Sequence, residues 1–393
     1  MSLLAGLARE AKRRLLLGRA LAWIVTHPRA ARGIRDERAW IFGASVGRAY
    51  VDNSAALHRY VRRERPDIAA YWAIDRDSAD VEAARALGPV LFRDSCEAWV
   101  RGLLAAVHII SHGVHDVPAC ASRRSSRTVK VRLGHGLTAL KRTKPRRGHD
   151  NRSANALFDL VPVASEFEKA HKLDWDIDPD RLVVTGLARF DTLGARDRDP
   201  PDDPKRTVYM PTWRDDADPD ALQRAIGGLL ADSALHALLE RHDARLDVFL
   251  HVNFGRRLRD EIAGTGGGRV RFPALADPQA LLAEAGLLVT DYSSVAWDML
   301  YIDKPVVFYQ FDPERFAEAR GGYLEPDQLP GPLAREAGAV VPLIEACLTG
   351  AWREDPDWSR RMSAGQRRAF AFRDEGNCER IVAEIERRLA ARG

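Results

Sequence analysis

Twice along this chain, short apolar runs alternate with helix-length segments, and that alternation limits the fold more than any other feature. In the first half the runs are Ala39-Trp40-Ile41-Phe42-Gly43, Ala70–Ile74, Val90–Phe92 and Ala106–Ser111, with helical spacing over Asn53–Arg63. The second series starts with strand Thr207–Met210, helix Ala221–Arg241 and strand Asp247–His251. It continues through helix Pro278–Glu284, strand Gly286–Thr290, helix Val295–Tyr301 and strand Pro305–Tyr309. Strands separated by helices pair in parallel, and the crossover helices cover both faces of the sheet. Between the two series, Arg196–Arg206 (RDRDPPDDPKR) has no periodicity, and its proline steps favour extended backbone. The pattern predicts an α/β chain with two Rossmann-like domains, 36–195 and 196–375, facing across a cleft. A basic amphipathic segment (1–35) precedes them and a charged amphipathic helix (376–393) follows.

Charge is distributed unevenly. Residues 1–35 hold Arg9, Lys12, Arg13, Arg14, Arg19, Arg29, Arg32 and Arg35 against Glu10 alone, a local +7 within a total of +4. On a helical wheel Leu3, Leu4, Leu7, Ala8, Ala11 and Leu15 share one face, opposite Arg9, Lys12 and Arg13. Such a helix suits an anionic membrane surface, and one docked on the protein's own core would read similarly. The apolar stretch Leu15–Val25 is short, interrupted by Arg19 and without a cleavage signature, so neither a signal peptide nor a membrane span is expected. The four cysteines have no C-x-x-C spacing, which argues against a zinc cage or disulfide framework and fits a reducing cytoplasm. A second basic run, Arg123–His149, contains no acid; without interleaved aromatics it makes a poor nucleic-acid surface, and no nucleic acid is expected as a partner.

Tandem Rossmann-like domains bind ligands where the carboxyl ends of their strands converge, so residues just past the strands carry the chemistry. Gly134-His135-Gly136 follows the apolar run Val129–Leu133, placing a histidine with little to pack against at a strand end, as a general base requires. Pro211-Thr212-Trp213-Arg214 offers a hydroxyl and a guanidinium after Thr207–Met210, and an Arg fork matches a phosphate. His251 closes the next strand. In Thr290-Asp291-Tyr292-Ser293-Ser294-Val295, two serines precede the helix bearing Asp298; they either cradle a phosphate or cap the helix.

These residues resemble the CDP-glycerol glycerophosphotransferase family, the teichoic-acid primases and polymerases of GT-B fold. The resemblance is densest over Leu288–Asp298 and Asp303–Asp312. It is supported by Met210–Asp215, by Gly186 with Arg189 and Asp191, by His135-Gly136 with Lys141, and by Asp52-Asn53-Ser54. Three elements depart from the family pattern: Gly134 stands for its usual Trp, Val252 for the Pro after His251, and Ala188 and Phe190 flank Arg189 where Pro and Asn are usual. The resemblance implies transfer of glycerol phosphate from CDP-glycerol, with His135 and His251 catalytic. It implies that Thr212, Arg214, Ser293, Ser294 and Asp298 hold the donor, and that Lys141, Arg189 and Asp191 are candidates for the acceptor or a phosphate. CDP-ribitol or a nucleotide sugar are the alternative donors. No Asp-x-Asp element stands at a strand end among these motifs, so no metal or cofactor is expected. The implied acceptor is a polysaccharide or lipid-linked glycan, met at the inner face of the cell membrane by a peripheral cytoplasmic enzyme.

Overall fold

The structure, a computed structural model, describes residues 3–122, 127–142, 155–197, 203–213, 218–250, 254, 256–264, 267–273, 278–319 and 321–392. Strands β1 (Trp40–Gly43), β2 (Ala70–Ile74), β3 (Val90–Phe92), β4 (Val107–Ile110) and β5 (Val129–Arg132) form one parallel sheet in the order β3-β2-β1-β4-β5. Its edge is extended where Val131 bridges Leu160, just before the parallel pair β6 (Val161–Val163) and β7 (Leu182–Val184). The second sheet contains β8 (Arg206–Met210), β9 (Arg245–Val248), β10 (Val270–Arg271), β11 (Leu287–Thr290), β12 (Val306–Tyr309) and β13 (Leu333–Ala334). Its order is β10-β9-β8-β11-β12-β13, again parallel. Both orders reverse direction around their first strand. Such a reversal opens a crevice at the carboxyl ends.

The apolar runs become strands because burial on both faces needs no polar alternation. Trp40–Gly43 and Leu287–Thr290 are buried throughout. The expected helix Ala221–Arg241 is instead two helices, Pro219–Leu230 and Ser233–Arg241. Asp232 separates them, its carboxylate accepting the Ala234 N–H at 2.8 Å as an N-cap.

The amphipathic N-terminal segment is also divided, into Leu3–Thr26 and Pro28–Asp36. Pro28 has no N–H to donate and is tolerated only in a first turn. The longer helix lies on helix Cys96–Leu104, burying Ala20 against Val100, Leu103 and Leu104 with Leu17 and Leu21 packed beside it. Lys12 and Arg13 do not form a free cationic face: Lys12 reaches Asp94 at 3.5 Å and Arg13 the His115 ring at 3.2 Å. The exposed side of the helix is mixed: Leu7 at 61%, Leu15 at 62% and Val25 at 77% exposure stand beside the exposed side chains of Arg14 and Lys12. Among the described residues no helix is long and apolar enough to cross a membrane.

Two helices tie the halves together. Ala188–Asp197 places Ala188 in the core under the first sheet and Phe190 and Leu193 in the core under the second. The C-terminal helix Asn377–Ala390 is not a separate appendage: Cys378, Ile381, Val382 and Ile385 pack into the first sheet's core. The chain thus returns at its end to the half it left near residue 197.

Candidate active site

The carboxyl ends of the two sheets face a cavity of about 410 Å³. From the first half come Arg132 and the loop Gly134–Lys141; from the second come Thr212, Trp213, Ser293 and Ser294. His135 is thus brought opposite the two serines, and Lys141 lies on the same wall as His135. Two of the expected residues, Arg214 and His251, lie outside the described residues.

The His135 loop is fixed from behind. Asn53 Nδ2 donates to the Gly134 carbonyl at 3.0 Å, and Arg189 Nη1 donates to the His135 carbonyl at 3.0 Å. Gly136 must lack a side chain because a Cβ there would stand 2.7 Å from Ser294 Oγ and 3.3 Å from Arg189 Nη2. The His135 loop and the Ser293-Ser294 turn therefore approach each other at that glycine. Ser294 sits at the N-cap position of helix Val295–Tyr301 yet makes no side-chain capping bond, so its hydroxyl is not spent on the helix.

A second histidine stands beside the first. The His112 and His135 rings are stacked, with centroids 5.0 Å apart and planes 8° from parallel. The backbone N–H of Ser45 approaches His112 Nδ1 at 3.1 Å, which makes Nδ1 the acceptor and puts the proton on Nε2. Nε2 lies 3.1 Å from Asp52 Oδ2. Asp52, at a positive φ of 65°, opens helix Asp52–Glu64 just after β1. Burial would raise its pKa, but the His112 hydrogen bond and the charges of His112, Arg189 and His135 lower it overall. For His112 itself burial opposes protonation, while Asp52 and then Asp116 raise its pKa; the Ser45 amide restrains that rise because a second ring proton would face an N–H.

His135 is exposed and lines the cavity between the two halves. Desolvation lowers its pKa to about 4, with Asp52 opposing and His112, Arg189 and Lys141 reinforcing the shift. The ring is neutral at physiological pH and has a lone pair for a proton. In the ligand-free protein its NMR titration is expected to have a midpoint near 4, assigned by its loss in His135→Ala. A midpoint near the ordinary 6.5 would mean the ring is not desolvated.

Four expected binding residues have other partners. Asp298 is 1% exposed and accepts from Arg189 Nη2 at 2.7 Å, so it lies behind the cavity rather than facing a donor. Arg189, 4% exposed, joins Asp298 of the second half to Asp52 of the first, 3.5 Å away; it positions the His135 loop and is not free for a phosphate. Asp191 accepts the N–H groups of Asn377 (3.1 Å) and Cys378 (2.7 Å), and so caps the C-terminal helix. Thr212 lines the cavity, but its hydroxyl and N–H both donate to Asp291 Oδ1. Conversely, sequence reading passed over Asp52 as a working residue, and also His112, Arg132 and Lys172. A histidine two residues beyond β4 was the available signal for His112.

The fold is a known one. The structure overlays on the wall teichoic acid polymerase TagF with a TM-score of 0.71, at 17% identity, covering 97% of this chain and 98% of that one. A putative UDP-N-acetylglucosamine 2-epimerase from Listeria monocytogenes shares the fold at a TM-score of 0.58, with 15% identity over 90% of this chain and 96% of that one. The paired parallel sheets are thus of GT-B type. In sequence, the chain is 24% identical over 337 residues to the teichoic acid glycerol-phosphate transferase of Staphylococcus aureus, covering 77% of this chain and 82% of the relative. It is 23% identical over 356 residues to the teichoic acid poly(glycerol phosphate) polymerase of Bacillus subtilis, covering 83% of this chain and only 45% of that longer relative. Residues 27–387 match the model for CDP-glycerol:poly(glycerophosphate) glycerophosphotransferases, and the chain belongs to that family.

Proposed function

We propose that this enzyme transfers glycerol phosphate from CDP-glycerol to a hydroxyl of a teichoic-acid-like acceptor, releasing CMP. The observation that carries the reading is His135, held by its backbone carbonyl, opposite Ser293 and Ser294 across one cavity. The acceptor hydroxyl oxygen attacks the phosphorus that bears glycerol. As that P–O bond forms, the bond from this phosphorus to the oxygen it shares with CMP breaks, and CMP leaves with the electron pair. His135 takes the hydroxyl proton. The Ser293 and Ser294 hydroxyls and the Lys141 ammonium meet charge on the phosphates, where preorganised donors lower the barrier most. Arg214 and His251 belong to the same proposal through the family resemblance. Metal independence is part of it too, with the cations of the cleft neutralising the leaving group.

The deciding experiment incubates the protein with CDP-glycerol, CDP-ribitol or a nucleotide sugar together with a glycerol-phosphate-primed glycoside, with and without EDTA. CMP release is expected from CDP-glycerol and is expected to survive EDTA. Release from CDP-ribitol alone would reassign the donor, and release of a nucleoside diphosphate would reassign the chemistry.

The proposed place of work is the inner face of the cell membrane, at a lipid-linked acceptor. Exposed Leu7, Leu15 and Val25 beside exposed Lys12 and Arg14 support it, because apolar side chains gain by entering a lipid interface while cations meet anionic headgroups.

A further inference from the structure

A general base is ordinarily aimed by a hydrogen bond to the ring nitrogen that does not take the proton. Among the described residues neither ring nitrogen of His135 has such a partner; the residue is held through its main chain, where Arg189 Nη1 donates to its carbonyl at 3.0 Å. The loop holds the ring no better. Gly134 and Gly136 flank it at φ of 72° and 156° with no side chain to wedge it, and the residue is exposed at the cavity. A ring so placed would turn about its two side-chain bonds, and a base that points elsewhere for part of the time loses rate accordingly.

His112 supplies what the loop lacks. Its ring covers one face of His135, with the planes 8° from parallel and the centroids 5.0 Å apart. His112 cannot itself turn, because both of its nitrogens are engaged: Nδ1 accepts the Ser45 N–H at 3.1 Å, and Nε2 stands 3.1 Å from Asp52 Oδ2. The turn that carries it is as firmly tied. Fully buried Asp116 accepts the N–H groups of Ser111 (3.2 Å), His112 (2.7 Å) and Gly113 (3.0 Å) through Oδ2, and that of Val46 (2.8 Å) through Oδ1. One carboxylate therefore joins the His112 turn to the Ser45 loop that meets its ring.

The contacts close on themselves. Asp52 lies 3.5 Å from Arg189 Nη1, the nitrogen that holds the His135 carbonyl, so one carboxylate stands behind both the main chain and the ring of His135. We propose that His112 is a positioning residue for the transfer: a ring platform, locked by Ser45 and Asp52, that fixes the plane of the His135 imidazole at the cavity. This rests on the transfer reading above. The charged groups that face His135 are Asp52, which favours its proton, and Arg189 and Lys141, which oppose it. His112 joins that opposition when it takes a second proton; the Ser45 N–H against Nδ1 resists the step, while Asp52 and Asp116 draw the other way. The platform works as a neutral ring, its one proton directed at Asp52.

The test separates the ring from its hydrogen bond. His112→Gln keeps a donor for Asp52 and loses the ring; His112→Phe keeps a flat ring and loses both nitrogens. Each variant is checked for folding by thermal unfolding, and kcat is read from CMP release at saturating CDP-glycerol. His112→Gln is expected to lower kcat by about ten- to hundredfold, the scale of a misplaced catalytic group, with CDP-glycerol affinity by calorimetry unchanged. His112→Phe is expected to recover most of that loss. The NMR signals of the His135 ring protons give a second readout, independent of turnover. Ring current from a stacked neighbour shifts them upfield, and that shift is expected to vanish in His112→Gln and persist in His112→Phe. A folded His112→Gln enzyme with unchanged kcat overturns the proposal, and so does one that loses donor affinity along with kcat. A His112→Phe enzyme no faster than His112→Gln overturns it too, assigning the effect to the Asp52 bond. Should His112→Phe fail to fold, the kcat and ring shift of His112→Gln decide alone. An unmodified enzyme that shows the upfield shift but releases no CMP from CDP-glycerol removes the transfer reading, and with it the role of the platform, while the stack itself stands.

Discussion

His135→Ala is expected to lower kcat by about a hundredfold to ten-thousandfold, the range associated with removing a general base. CDP-glycerol affinity should change little. The ring sits on the loop of the first half, and its structural neighbours hold the backbone rather than the imidazole: the Asn53 amide and the Arg189 guanidinium both bond to carbonyls that alanine retains. The loop should therefore keep its course in the variant. His112→Asn, which removes the stacked ring and its bond to Asp52, should have a smaller effect on kcat and should alter the acid limb of the pH profile, since His112 is one of the groups that depress the His135 pKa. A His135→Ala enzyme with near-normal kcat would take this histidine out of the chemistry and move attention to His251.

The second large effect is expected at Asp298, and in stability rather than in donor affinity. Its carboxylate is 1% exposed and balances the Arg189 guanidinium at 2.7 Å. Asp298→Ala leaves a buried guanidinium with only the more distant Asp52 carboxylate, 3.5 Å away, to offset it. Breaking such a pair from one side costs about 3–5 kcal/mol. For a half of this size that corresponds to a melting point roughly 6 °C lower or more, read by thermal unfolding. CDP-glycerol should still bind the folded fraction with near-normal affinity. Unchanged melting with lost donor affinity would return Asp298 to the donor site, where the family resemblance had placed it.

The fate of Asp298, Arg189 and Asp191 shows where sequence reading ends. Strand positions were legible because a doubly buried strand must be continuously apolar: Ala70–Ile74 and Val90–Phe92 were found with their observed bounds. β6 and β7 were not, since three residues, one of them Pro162, leave no pattern to read. That the His135 loop lines the cavity was legible because a histidine between two glycines just past an apolar run has few packing roles. Which face a charged side chain takes is another matter. Arg189 and Asp298 are 109 positions apart, and Asp191 meets Asn377 across 186. No local spacing records such partnerships, so residues that join the halves carry the same signature as residues that hold a ligand. Arg132 illustrates the converse: it lies within the basic run Arg123–His149 and was not singled out, and only the aromatic rings and Asn155 around it show that it is enclosed.

The return of helix Asn377–Ala390 to the first sheet also sets an order on synthesis. Arg65, near the start of the first half, is bonded to Glu386, 321 positions later. As the ribosome emits the chain, the first sheet's strands are all exposed long before Ile381, Val382 and Ile385 arrive to cover part of their core. At about 5–20 residues per second, the nascent first half waits of order ten seconds or more with that apolar surface open. Such open apolar surface invites aggregation, and the last helix acts as the latch that closes it. A stop codon just before Asn377 should accordingly damage the half that was made first.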